Sequence, residues 1–360
     1  MNEKEYNYGI DLFKIVSMIM IITGHILGHG GILQSSLDST SYYVIWGIEI
    51  IIVCGVNCFA MISGFVGYRE KKKIHYSRYF ELWIQVFFYS VGITLLMRCL
   101  GKNIGLRQCI SSFLPVTFNQ YWYFSAYTGV FLLMPFLNCI VEKMDKETIK
   151  KSVLLCALAF SVYASFSSRW GDPFKLNNGY SIVWLSFAYL IGAMIKKYKV
   201  NECFTSKKIL FFLTGCIITS VLWRFCIGKL IGHGLENISY SYLAPTTVGI
   251  SIALMLLFSK FSIKGILKKI IIFFGPTTFG VYLIHEHGMF RESFILKKFT
   301  FVTTYNLVIM LAIIIGSALT IFIIAALIEK IRIYLFQSFK IKEGCQFIEK
   351  KLEQAISKII

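Results

Sequence analysis

The chain has 360 residues, of which 56% are hydrophobic and only 16% are charged. A soluble fold cannot bury so large an apolar share, whereas a bilayer about 30 Å thick requires helices of about 20 apolar residues each. The formal charge of +18 falls mainly in short loops between apolar stretches, so it indicates membrane topology and argues against nucleic-acid binding.

Apolar stretches long enough to cross a bilayer follow one another along the chain. They predict an all-α fold, a polytopic transmembrane bundle of about ten helices in one membrane domain. The predicted spans lie near residues 10–29, 42–67, 80–98, 121–141, 152–168, 179–195, 208–227, 240–258, 271–290 and 305–328.

The loops between these spans are strongly basic on one side of the membrane. Lysine and arginine concentrate after the second, fourth, sixth and eighth spans, whereas residues 30–41 contain neither. Because basic loops are retained in the cytoplasm, both termini are predicted to be cytoplasmic. Residues 1–330 are predicted to form the membrane domain and residues 331–360 a basic amphipathic cytoplasmic tail on the inner leaflet.

Ionisable residues inside the first span are the first candidates for function, because such groups are costly in a bilayer. Lys14 and His25 are eleven positions apart. At 100° per residue both side chains share one helix face, separated by roughly 16 Å along the axis. They are predicted to mark two levels of one polar path, with Lys14 towards the cytoplasm and His25 towards the outside.

Polar side chains of other spans are predicted to reach the same two levels. The outer group comprises His25, Glu49, Trp122, Tyr123, Arg224, Tyr282, His285, Glu286 and His287. The inner group comprises Lys14, Arg69, Arg78 and Glu81.

The chemistry of the two groups differs. A histidine can take a proton from a hydroxyl or carry an acyl group, and a neighbouring carboxylate can orient it. Inner cations suit a donor that carries phosphates. Structural alternatives stay open: Glu49 as a neutralising partner of Lys14 or Arg224, and the pair Trp122 and Tyr123 as an interfacial aromatic belt.

No metal site is predicted. His285 and His287 are two residues apart, so on a helix they point to different faces. The chain also has no H-E-x-x-H motif and no C-x-x-C pair, which are common signatures of zinc sites.

Several segments in a fixed order carry a resemblance to a known family. They are Gly9-Ile10-Asp11-Leu12-Phe13-Lys14 followed by His25, then Phe59-Ala60-Met61-Ile62-Ser63-Gly64-Phe65, the basic loop with Arg78, Trp122-Tyr123, and Phe279-Gly280-Val281-Tyr282-Leu283-Ile284-His285. From about residue 7 to 330 the chain resembles the acyltransferase family 3 membrane proteins. Lys14 stands where that family usually has arginine.

The resemblance implies an O-acyltransferase, most often an O-acetyltransferase, that draws acetyl-CoA from the cytoplasm. The implied acceptor is a sugar of a surface polysaccharide, a lipid-linked glycan or peptidoglycan. His25 would be the catalytic or acyl-relaying residue, Lys14 and Arg78 would lie near the donor phosphates, and His285 would lie near the reacting centre.

These expectations form one set. The catalytic residues are His25, Glu49 and His285; the donor-binding residues are Lys14, Arg69 and Arg78; the acceptor-side residues are Trp122, Tyr123, Arg224, Tyr282 and Glu286. No cofactor is expected beyond acetyl-CoA as donor substrate. The expected location is the plasma membrane, the expected partners are acetyl-CoA, the glycan and membrane lipids, without nucleic acid, and a homodimer is a candidate assembly.

Two other functions compete with acyl transfer. A polar path between both levels would also suit a transporter of a small polar solute or glycan. The chain has only 5 prolines, which disfavours a transporter built on broken helices. A purely structural membrane scaffold is the third reading.

Overall fold

The computed structural model describes residues 6–70, 74–168, 170–232 and 234–358. Within those ranges the chain is helical with connecting turns, and it contains no β-strand. In lipid every backbone N–H and C=O must bond within the structure, which a helix achieves inside one segment. The all-α fold class is confirmed.

The helices are defined as follows. They are α1 Tyr8–Leu27, α2 Ser39–Ile52, α3 Gly55–Gly67, α4 Ser77–Cys99, α5 Leu106–Phe113, α6 Trp122–Lys143, α7 Lys146–Ser167, α8 Ile182–Lys197, α9 Ser206–Ile231, α10 Pro245–Ser259, α11 Gly265–His285, α12 Leu307–Ser338 and α13 Ile341–Ile356. Shorter turns of helix are Asn177–Gly179, Val200–Cys203, Leu235–Tyr240, Gly288–Phe290, Arg291–Ile295 and Thr300–Thr304.

Within the described ranges, 9 helices are long and apolar enough to cross a membrane, with α2 and α3 counted as one span. The sixth predicted span is present as α8, which has 16 residues. At 1.5 Å per residue α8 is about 24 Å long, shorter than the hydrocarbon core. The chain is therefore a multi-pass membrane protein whose sixth predicted span is a shorter helix inside the bundle.

Helix α8 is held inside the bundle by close backbone packing against α3. A Cβ added at Gly64 would collide with the carbonyl of Tyr189, and one added at Gly192 would collide with the carbonyl of Met61. Small residues allow helix backbones to approach in this way, and van der Waals packing then replaces the hydrophobic effect that lipid cannot supply.

Helix α1 lies between two apolar clusters, which fixes its rotation. Phe13 and Met20 belong to one cluster, and Met18 and Ile22 belong to the other. The polar residues Lys14 and His25 of α1 therefore face the interior of the bundle and not lipid, as the cavities described below confirm.

The C-terminal segment is also helical. Helix α12 continues to Ser338, so the predicted boundary at residue 330 lies inside a helix, and α13 follows it. Glu349 of α13 accepts a hydrogen bond from the backbone N–H of Tyr76 at 2.7 Å, and its carboxylate is 3.7 Å from His75. The carboxylate thus caps the start of α4, where the helix dipole favours negative charge. We call this end of the bundle, which also carries Arg69 and Arg78, the basic end.

Candidate functional site

His25 lies in the last turn of α1, at the end of the bundle opposite the basic end. Its Nδ1 is 3.2 Å from Oε2 of Glu286, although the two groups are not aligned as a hydrogen bond. The His25 ring centroid is 5.2 Å from the ring centroid of His29 and also 5.2 Å from that of His285. The carboxylate beside His25 is therefore Glu286 and not Glu49.

His285 is the last residue of α11 and is fully buried. Its Nδ1 is 2.7 Å from the carbonyl oxygen of Val281. A carbonyl only accepts hydrogen bonds, so Nδ1 carries the hydrogen and Nε2 of the neutral ring is an acceptor. That Nε2 is buried and has no hydrogen-bond partner in the described part of the chain. The backbone thus presents an imidazole with a free lone pair beside His25.

Glu286 is held between a cation and the histidines. Arg291 donates a hydrogen bond to Oε1 at 2.6 Å, which leaves Oε2 facing His25. Burial raises the pKa of Glu286, and the charge of Arg291 opposes that shift. The Arg291 contact therefore favours the carboxylate form, which can stabilise a positive charge that develops on His25.

His287 is separate from this group. Its Nε2 is 2.9 Å from the side-chain amide of Gln120 and 3.4 Å from the carbonyl oxygen of Ser90. Burial lowers the pKa of His287 to about 4. A neutral, hydrogen-bonded histidine away from the cavities is a packing residue.

The group around His25 has a spacing that could hold a metal ion. One ligand atom each from His25, His285 and Glu286 lies within 4.8 Å of the others. The spacing of His285 and His287, which disfavours a metal site, does not apply to His25, His285 and Glu286, because His25 comes from a different segment than the other two. Two imidazoles and a carboxylate also form a proton relay without a metal, so the absence of a metal site stays a prediction.

A cavity of about 160 Å³ surrounds His25. It brings together most residues of the predicted outer group. Its lining includes His25, His29, Phe59, Trp122, Tyr123, Tyr180, Tyr242, Phe279, Tyr282, Glu286 and Arg291. We call it the histidine cavity.

A second cavity, of about 630 Å³, begins at the basic end. The predicted donor-binding residues Lys14, Arg69 and Arg78 all line it. Lys14 also forms a salt bridge of 2.7 Å with Asp11. We call this the cationic cavity.

The cationic and histidine cavities share part of their walls. Phe59, Tyr123 and Phe279 line both of them. The stripe predicted on α1 therefore faces two adjoining cavities, with Lys14 lining one and His25 lining the other.

Glu49 and Arg224 do not line the histidine cavity. Glu49 lines a third cavity of about 900 Å³. Arg224 is buried behind its wall, where its guanidinium lies 3.6 Å from the centroid of the Trp46 ring and donates to Asn237 at 2.8 Å. No salt bridge within the described residues joins Glu49 to Lys14 or to Arg224, so the neutralising role considered for it is not supported.

A family model described as an acyltransferase domain matches residues 7–329. It is the model of acyltransferase family 3, the family indicated by the sequence segments. The chain belongs to this family. It is a multi-pass membrane acyltransferase. Searches of curated proteins and of solved structures gave no match.

The sequence did not single out several residues of this acyltransferase. Arg291 follows the predicted ninth span, and its only signal in the sequence was its distance of five positions from Glu286. Tyr180 and Tyr242 come from loops whose approach to His25 depends on tertiary packing. Their aromatic character alone could not separate them from the other 18 tyrosines of the 20 in the chain.

Proposed function

We propose that this acyltransferase is an O-acetyltransferase that moves an acetyl group from cytoplasmic acetyl-CoA to a sugar hydroxyl of an extracytoplasmic or lipid-linked glycan. One observation carries the proposal. The cationic cavity and the histidine cavity adjoin, since Phe59, Tyr123 and Phe279 line both, and this places a donor site next to the proposed reacting centre.

The donor side rests on the charge and size of the cationic cavity. Lys14, Arg69 and Arg78 supply positive charge for the phosphates of coenzyme A. The volume of about 630 Å³ lies in the usual range for small-molecule sites. The basic loops favour a cytoplasmic position for this end in the plasma membrane, and that is the side where acetyl-CoA is made available.

The reaction requires one proton shuttle. The acceptor hydroxyl oxygen attacks the thioester carbonyl carbon, a C–O bond forms, and the C–S bond breaks. The imidazole of His25 accepts the hydroxyl proton and returns it to the departing thiolate, which leaves as coenzyme A thiol. Glu286, held by Arg291, stabilises the imidazolium in between. His285 does not line the histidine cavity; its free Nε2 adds an acceptor in the buried layer next to His25.

The test uses the full chain in proteoliposomes with radiolabelled acetyl-CoA outside and a membrane extract of lipid-linked glycans as acceptor. Wild type is expected to form alkali-labile acetyl ester, and His25→Gln is expected to form almost none. His287→Gln is the matched control, because that buried histidine lies outside the cavities. Equal ester formation by wild type and His25→Gln would refute the proposal.

A transporter is the second candidate, because the same row of cavities runs from the basic end towards the opposite end. Flux of a labelled sugar into proteoliposomes without any acyl donor separates the two functions. We expect no flux above that of empty vesicles. Donor-independent flux would assign the cavities to transport.

A further inference from the structure

The third cavity, which we call the Glu49 cavity, opens at the end of the bundle opposite the basic end. Helix α2 supplies Glu49, helix α7 supplies Ser165, and the turns around Asn178 and Asn237 supply amides. Its volume of about 900 Å³ is large enough for a sugar unit and its linkage. The cavity is mostly polar in residue type, which is unusual at the end of so apolar a chain.

Glu49 is an unsatisfied carboxylate in this cavity. The residue is only 9% exposed, and its Oε2 is buried without a hydrogen-bond partner in the described part of the protein. No described salt bridge reaches it, since Lys14 is paired with Asp11 and Arg224 lies on Trp46. A buried carboxylate left without donors is costly, and Glu49 lines the cavity, so hydrogen-bond donors of a ligand there would stabilise it.

Aromatic side chains complete the wall. Tyr180, Tyr240 and Tyr242 line the cavity, and their ring faces suit the C–H face of a pyranose. Asn178 and Asn237 add amide groups that both donate and accept hydrogen bonds. Carboxylate, amides and aromatic rings together match the alternating hydroxyl and C–H surface of a sugar.

The Glu49 cavity adjoins the histidine cavity through two shared tyrosines. Tyr180 and Tyr242 line both, and their ring centroids are 5.2 Å apart. Trp122 stands on the His25 side of this pair, with its ring centroid 4.3 Å from that of Tyr180. A sugar held beside Glu49 would need only to reach past these tyrosines to present a hydroxyl to His25.

We propose that the Glu49 cavity is the acceptor subsite, where Glu49 accepts hydrogen bonds from hydroxyl or ammonium groups of a neutral or amine-bearing pyranose and excludes uronic acids. The role as acceptor subsite rests on the proposed function, whereas the binding does not require a donor. The inference makes Glu49 a sugar-binding residue outside the proton relay, in place of the catalytic role predicted for it. A ligand carboxylate beside Glu49 would repel it in a poorly solvated site.

The experiment measures sugar binding by the detergent-purified full chain without acetyl-CoA. Ligand-observed NMR titrations use methyl β-D-glucopyranoside, its 2-amino-2-deoxy analogue and methyl β-D-glucuronide. Wild type is expected to bind the first two sugars and to bind the glucuronide at least about tenfold more weakly. Glu49→Gln is expected to weaken binding of the amino sugar most and to remove the discrimination against the glucuronide.

Glu292→Gln is the matched control, since Glu292 is exposed, lies near the same end and does not line the cavity. It should reproduce the wild-type order of affinities. The inference is overturned if wild type binds none of the three sugars, if it binds all three equally, or if Glu49→Gln behaves as wild type does. Acetyl-CoA binding is measured in a separate titration, so its failure would count against the proposed function alone.

Discussion

The protein buries carboxylates in two regions, and the two regions differ in whether the carboxylate oxygens have hydrogen-bond partners. Glu329 of α12 is fully buried, is paired with Arg332, and accepts hydrogen bonds from Gln85 at 3.0 Å and Tyr89 at 2.6 Å. At the other end, Glu49 and Glu286 are also buried, but each has an Oε2 without a hydrogen-bond partner among the described residues.

This difference distinguishes buried polar groups that stabilise the fold from those that are available to a substrate. A buried charge whose bonds are all made within the protein stabilises one arrangement of helices, and no bonding capacity remains for a ligand. A buried group with free capacity lowers stability unless a substrate uses it. In this acyltransferase the unsatisfied Nδ1 of His25, Nε2 of His285 and Oε2 of Glu286 belong to one cluster at the end that contains His25.

The largest expected effect is at His25, in the region whose buried polar groups lack hydrogen-bond partners. His25→Gln should lower the rate of acetyl transfer by about 10²- to 10⁴-fold, because a positioned proton-transfer group contributes that much. The unfolding temperature should hardly change, since the His25 Nδ1 makes no hydrogen bond within the described structure. Initial rates and thermal unfolding of purified protein check both statements. Full activity in the variant would show that His25 does not transfer the proton.

At Glu329, whose hydrogen bonds are all made within the protein, a substitution should lower stability and leave the rate unchanged. Glu329→Ala removes one partner of a buried pair and leaves Arg332 uncompensated, which should cost about 3–5 kcal/mol of unfolding free energy. The rate per folded molecule should stay near wild type, because Glu329 lines none of the cavities described here. Denaturation in detergent measures the first effect, with exposed Glu292→Ala as control. A selective loss of the rate would mean that Glu329 acts in the reaction.

A smaller effect is expected at the entrance to the cationic cavity. Lys14→Ala should raise the KM for acetyl-CoA about tenfold, the usual scale for losing one charge-assisted hydrogen bond. Lys14→Arg should keep the KM close to wild type, because the charge is kept. Lys298→Ala is the control, since Lys298 is exposed and lies outside that cavity. An unchanged KM in Lys14→Ala would remove Lys14 from donor binding.

Helix periodicity and the length of the apolar stretches predicted the common face of Lys14 and His25 and the helical fold. The spacing of Lys14 and His25 depends only on the geometry of α1, so their common face could be derived without knowing any neighbour. The two residues line adjoining cavities in the structure. The apolar stretches likewise predicted the helical fold, because the bilayer sets the length of each span.

Contacts between distant segments could not be derived in the same way. Glu49 and Glu286 lie at similar predicted depths, and depth alone does not tell which of them faces His25. That choice depends on the rotation of α2 and α11, which the surrounding packing sets. The short helix α8 is predicted as a full span because its residues are as apolar as those of a membrane-spanning helix. Its close packing on α3 through Gly64 and Gly192 is a tertiary contact, which the sequence alone does not reveal.

The smallest expected effect concerns Glu349, a satisfied carboxylate at the surface of the basic end. Partial burial alone would raise its pKa, but hydrogen bonds from Ser77 and Tyr76 outweigh that and hold the pKa below its usual range. A lowered pKa in the folded state means that the carboxylate stabilises docking of α13 above about pH 4.5, and that this is lost as the pH falls further.

Hydrogen exchange of residues 341–356, corrected for the intrinsic rate, should therefore stay constant in wild type from pH 7 to about pH 5 and rise as the pH falls below about 4.5. Glu349→Gln should show the faster exchange already at pH 7 and little further change, because glutamine has no charge to lose. Glu343→Gln, an exposed substitution on the same helix, should follow wild type. Identical exchange in wild type and Glu349→Gln at pH 7 would show that apolar contacts of α13, such as buried Cys345, hold the helix without the carboxylate.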